Sequence, residues 1–317
     1  MTYLKGFTTV GDSTVTNNVR ENLISFIDYG LIEKSGFVNI SIPTTGVYGG
    51  LEHRLRLVSD PRYDDGQVWE GFKSNWVWES GLGALTSTNN SYPGVSGVYV
   101  NNTFYPTSTT GTYSHHINHT LGRVIFDSPI NTGSVVNCSY SYKYVNVVKA
   151  DGLNWFKRIH KGSERADSSN FIGNSGEWGV LADNRVQLPA IGVELINQRK
   201  LSPFAIGGGQ SVSTSFLLHC IAEDGYTRDH LVDILSLQKE TVFLAYDLND
   251  ISSNDDFPLD YNGVPASGAM RYPELISNYP GPRIRISDVS LDSVYSLGNS
   301  LHVGSVKITT ETILFGV

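Results

Sequence analysis

The sequence predicts a β-rich α+β protein: an N-terminal helix, then an inserted antiparallel β-sandwich or small barrel, then a C-terminal mixed sheet with one principal helix. Three observations predict it. Glycine (32 residues) and tyrosine (17) stand in runs rich in Thr, Ser, Val and Asn, a composition of strands and turns. Period-two alternation dominates residues 94–150 and returns after residue 185. Near the N-terminus, Val19, Leu23, Phe26 and Ile27 fall on one stripe at helical spacing.

Residues 1–81 form the helix and strand region. Asn18 is placed to cap the helix, Glu21 to reach back to it and Gly30 to stop it. Phe37 to Ile42 then alternates as a strand that Pro43 ends. Within 60–81, Trp69, Trp76 and Trp78 crowd among acidic residues and glycines. Large rings filling a core under a loop-rich segment explain them better than a binding surface, although the three stay candidate interface aromatics.

Residues 82–150 read as the inserted β-sandwich, with Asn101-Asn102 as a turn pair and one long half-buried strand whose Val136, Cys138, Tyr140, Tyr142 and Tyr144 share a face. Residues 151–185 break the pattern and read as an extended connector anchored by Trp155 and Trp178. Residues 186–317 form an α+β domain. Its strands lie around Ile191–Leu195, Val212–Ala222, Val242–Tyr246, Arg283–Ile286 and Val303–Phe315, with a helix that Thr227 caps and a long hairpin or exposed loop over 247–282.

Several function classes lose support from composition alone. The longest apolar runs fall far short of the roughly 20 residues that span a bilayer. The first ten residues lack the apolar core of a secretory signal, so synthesis in a cytoplasm is expected. Cys138 and Cys220, each in an apolar strand, suit two reduced core thiols. Residues 186–317 hold 8 basic and 15 acidic side chains, net −7, against −1 for residues 1–185. That surface repels phosphate backbones and argues against specific nucleic-acid binding.

The motifs that carry chemistry are incomplete. His115, His116 and His119 have no carboxylate or cysteine close in sequence to complete a zinc site. Gly207-Gly208-Gly209 has no following Lys-Ser/Thr and leads into a strand, unlike a phosphate loop. The series from Asp247 to Asp256 breaks the EF-hand order. No nucleophile elbow occurs. The expectation is a protein that is not an enzyme and needs no cofactor or metal.

Two stretches resemble virion proteins of tailed bacteriophages. GVYVNNTFYPTSTTGTYSHHINHTLGRVIFDSPINTGSVVNCSYSYKYVNV, residues 97–147, is similar to a pattern of neck and tail components. The order from Leu188 to Asp247, namely strand, Gly-rich turn, long strand, capped helix and strand, resembles tail-terminator and tail-completion proteins. The resemblance implies a structural protein of the neck or tail, located in the virion. It implies a six- or twelve-fold homo-oligomeric ring that joins or terminates the tail tube, contacts other virion proteins and lets DNA pass. On that reading Glu223, Asp224, Asp229, Asp233, Asp247, Asp250, Asp255 and Asp256 are the candidate lumen-facing carboxylates. The alternative is a carbohydrate- or receptor-binding β-sandwich module of a phage tail.

Overall fold

The computed structural model describes residues 9–12, 14–42, 52–79, 82, 94–150, 159–160, 186–204, 209–266, 268, 270–297 and 301–314. It has the predicted class, and its largest element is a mixed six-stranded sheet. In chain order the strands of that sheet are β10 (Asn146–Lys149), β13 (Ala190–Pro203), β14 (Gln210–Ala222), β15 (Val242–Tyr246), β16 (Pro280–Ser296) and β17 (His302–Leu314). Their spatial order is β10-β13-β14-β17-β16-β15, with β10 parallel to β13 and every other pair antiparallel.

Two helices cover one face of this sheet because their apolar stripes match the inward positions of its strands. Helix α1 (Val15–Glu33) contributes Val19, Leu23 and Ile27, and α2 (Gly225–Ser236) contributes Leu231 and Leu235. They meet Ile191, Val193, Phe216, Leu218, Ile284, Ile286, Val306 and Ile308 in one core. Phe26 is only partly buried, but its ring stacks on Phe243 at 4.5 Å. The opposite face carries polar side chains at Glu194, Ser213, Ser215, Lys307, Thr309 and Glu311, the positions alternate to the core residues. A smaller apolar cluster of Ala150, Val186, Leu188, Ala190, Ile221 and Val303 closes its upper end.

The predicted caps are corrected by tertiary partners. Thr14, not Asn18, stands at the N-cap of α1, and the helix runs through Gly30 to Glu33. Asn18 instead accepts the Leu248 N–H at 3.0 Å, binding the start of a helix more than 200 residues away. Asn22, fully buried, bonds both the N–H and the C=O of Tyr246. On α2 the cap is Asp224, which accepts the Thr227 N–H at 2.7 Å. The segment 247–282 is not a bare hairpin. It holds α3 (Leu248–Asn254) and α4 (Tyr272–Asn278), each starting where a side chain or capping box satisfies free N–H groups.

The sandwich is larger than its predicted span. Its four-stranded sheet is β2 (Arg56–Leu57), β3 (Val68–Glu70), β7 (Arg123–Phe126) and β6 (His115–Asn118), in the order β2-β3-β7-β6. Facing it are β5 (Thr103–Pro106), β4 (Gly97–Val100) and β8 (Val136–Cys138). Because β3 pairs with β7, packing does not divide at 81/82. The long strand over 136–144 also divides: β8 pairs with β4, while β9 (Tyr140–Lys143) turns away to pair with β1 (Phe37–Ile40). Inside the sandwich Arg123 bridges Asp60 at 3.1 Å and Glu70 at 3.0 Å, all three buried. Of the expected connector, only Ile159–His160 is described, as β11, parallel to β12 (Val186–Gln187). Trp155 and Trp178 lie outside the described residues, as do Gly207 and Gly208.

Candidate functional site

The eight candidate carboxylates do not form one wall. Glu223, Asp224, Asp229 and Asp233 follow the C-terminal end of β14 or ride on α2, whereas Asp247, Asp250, Asp255 and Asp256 follow the C-terminal end of β15. Since β14 and β15 run antiparallel within the sheet, the two groups leave it at opposite ends. Local structure explains several of them. Asp224 caps α2, and the Thr227 backbone N–H lowers its carboxyl below the usual value. Asp247 caps α3, Asp255 ends it in the left-handed region at φ 54°, and Asp256 accepts the Tyr279 hydroxyl. Asp224, Asp229, Asp233, Asp250 and Asp255 are exposed.

The tryptophans part company. Trp69 (3% exposed) and Trp76 (1%) are core residues, so neither offers an interface ring. Trp69 Nε1 donates to Gly66 O and Trp76 Nε1 to Lys73 O, while the Trp76 ring stacks on Tyr140 at 4.3 Å. Only Trp78 keeps partial exposure. It borders a cleft of about 300 Å³ between the sandwich and the helices, walled also by Tyr29, Phe257, Met270 and Tyr272.

At the cleft's floor lies an ion triad that the sequence did not reveal. Lys143 on β9 reaches Asp28 of α1 at 2.6 Å and Glu79 at 2.8 Å. Burial opposes the charge on Lys143, but the two carboxylates together outweigh it and hold the ammonium above its ordinary value. Burial raises the Asp28 carboxyl, with Lys143 offsetting part of the effect and Glu79 adding to it. The triad ties one side chain from the sandwich to the helix that covers the large sheet.

A second cluster also depends on pairing. His219 Nε2 lies 2.8 Å from Glu194 Oε2, and its Nδ1 lies 3.1 Å from Ser305 Oγ. The residue types are those of a hydrolytic triad, but Ser305 is 2% exposed within β17, paired on both sides by β14 and β16. Its neighbours' N–H groups belong to the sheet ladder, which leaves no oxyanion donors beside it. The cluster therefore reads as a cross-strand polar pin.

The histidines of 115–119 also serve packing. His115 Nδ1 donates to Tyr113 O at 2.9 Å, and His119 Nδ1 to Gly263 O at 3.2 Å. The latter docks the 260–264 turn on the sandwich. Gly263 sits at φ 71°, and a Cβ there would strike Asn118. No group of three or more His, Cys, Asp or Glu side chains placed to share a metal ion occurs among the described residues. Cys138 and Cys220 are free and buried, and burial raises both thiols, that of Cys220 to about 12.

These imidazoles and His53 should give stability a pH dependence. Burial holds His53, His115 and His119 below the ordinary value, with the Gly263 carbonyl countering part of it at His119. The unfolded chain then takes up protons first, so stability is complete above about pH 6.5 and is lost as pH falls through the folded values. The melting temperature should drop between pH 7.5 and 5, and the drop should be smaller in His119→Gln. An equal drop in that variant would place the sensitivity elsewhere.

Compared with known proteins, the chain matches no family model and no curated protein sequence. No helix among the described residues is long and apolar enough to cross a membrane.

Proposed function

We propose that this chain is a structural component of a tailed-bacteriophage virion, forming a ring at the neck or tail that joins or terminates the tail tube and lets DNA pass. The observation that carries the reading is the division of the six-stranded sheet into one helix-covered face and one polar face. Lys200, Lys307, Arg283 and Arg285 stand on that polar face with Glu194, Glu311 and Asp288, and Arg285 pairs with Glu240 and Glu311, so its charges nearly balance. A surface of Ser, Thr and mixed charge presents no basic track to phosphates. In a ring whose strands run between its two mouths, the acidic groups at the ends of β14 and β15 would mark both rims. Repulsion there keeps a duplex mobile. The partners are other copies, in six- or twelve-fold symmetry, and neighbouring virion proteins. No catalytic role or cofactor is part of this reading.

Negative-stain images of the purified chain should show rings, and antibody label on virions should fall at the neck or tail. Particles without rings, with label on the capsid shell or absent, would end this reading. The cleft bordered by Trp78 favours the alternative of a carbohydrate- or receptor-binding module, because a part-exposed indole beside carboxylates is a sugar-stacking arrangement. Glycan-array binding that Trp78→Ala abolishes would promote it.

A further inference from the structure

The six-stranded sheet is open along part of each margin. β10 covers β13 only over Ala190–Val193, and β15 covers β16 only as far as Arg285, with Ile286 still bonded to Glu240 and Thr241. Beyond those points no described strand pairs with the outer side of β13 over 194–203, or of β16 over 287–296. The margin of β15 is treated differently. Asn22 satisfies both backbone groups of Tyr246, and the Tyr272 hydroxyl donates to Leu244 O. Capping of that kind protects an edge from unwanted pairing. On the other two margins Leu201, Leu291, Val294 and Tyr295 are 42–56% exposed.

Both margins also carry bulges and charges, which by themselves could blunt an edge. Their net signs differ, however: Arg199 and Lys200 outnumber Glu194 on the β13 margin, whereas the β16 margin carries Asp288 and Asp292. Blunting works with either sign, whereas two margins of similar length and opposite charge fit one another. We propose that the occupant of each margin is a second copy of this chain, with the β13 margin of one copy adding antiparallel to the β16 margin of the next. The inference rests on the ring reading above and names its interface.

The strand sense permits this contact. Within the sheet β13 and β16 run in opposite directions, so copies in the same orientation meet antiparallel. Overlaying the two open spans places Lys200 across from Ser290, diagonal to both Asp288 and Asp292. Lys200 and Asp288 both belong to the polar face, as a continuous sheet requires. The overlay staggers successive copies by about four residues, ~14 Å along strands for every four strands, or ~19 Å, across them. That ratio sets a strand tilt of about 36°, at the lower end of the roughly 35–45° of closed barrels. A head-to-tail contact with such a tilt is compatible with closure into a ring.

Sedimentation velocity of the full chain tests the pairing. Wild type should self-associate, more weakly at high salt. Lys200→Asp alone, or Asp288→Lys with Asp292→Lys, should raise the dissociation constant about tenfold or more. Combining the three substitutions should restore association. These positions are exposed, so unchanged melting curves will confirm that each variant folds. A wild-type monomer up to about 100 µM, or association indifferent to all the substitutions, would overturn the proposal. Association with charge-swap rescue, but without virion label, would keep this interface and remove the phage reading instead.

Discussion

Replacing Lys143 by methionine should cost about 3–5 kcal/mol of stability, the largest loss expected from any single charged residue in the junction between the two units. The substitution conserves much of the side chain's volume, so packing is not the cause. It strands Asp28 and Glu79 as two negative charges in a buried space, where Lys143 now meets them at 2.6 and 2.8 Å. Removing both acids as well, by Asp28→Asn and Glu79→Gln, should recover much of the loss, since neutral groups leave no unpaired charge behind. Thermal or urea unfolding of the single and triple variants measures this. A triple variant as unstable as the single one would show that Lys143 acts through its aliphatic contacts.

Trp76→Ala should cost a similar amount, about 3–5 kcal/mol, because it removes a fully buried indole. The deletion takes away the ring stacked on Tyr140 at 4.3 Å and the N–H donated to Lys73 O. It also opens the space that Gly71 and Gly122 now concede to the indole, since a Cβ on either would collide with that ring. Trp78→Ala should cost far less, about 1 kcal/mol, because Trp78 borders the cleft with one side already wet. Equal losses at positions 76 and 78 would mean that the cleft is filled by something that holds Trp78 as firmly as the core holds Trp76.

The contrast shows what the residues disclose before any fold is known. Alternation and helical stripes are local, so α1, β13, β14 and α2 are legible from Val19, Leu23, Ile191, Val193, Phe216, Leu218 and Leu231. Cap signals mislead where distant partners compete for the same side chain: Asn18 looks like a cap, but Leu248 claims it. The strand over 136–144 looked half-buried because Ser141 and Lys143 are polar, yet both are buried against partners, Asn39 for one and Asp28 with Glu79 for the other. Polarity reports a need for a partner, and water is only one of those available. The triad and the His219–Glu194–Ser305 pin were invisible for a related reason. Their members lie 51 to 115 or 25 to 111 positions apart and meet only after registers are set.

The way α1 is covered has a consequence for the newborn chain. Its stripe of Val19, Leu23 and Ile27 is buried against residues between Val145 and Ile308, most of them supplied by strands that begin at Ala190. At roughly 5–20 residues per second the helix therefore waits ~10–50 s on the ribosome with its apolar face unsheltered. The sandwich, whose strands lie between Arg56 and Cys138, is complete long before the sheet that needs α1. Folding should then proceed from the middle of the sequence outward, and the interval before β16 and β17 emerge is when this chain most needs a chaperone's cover.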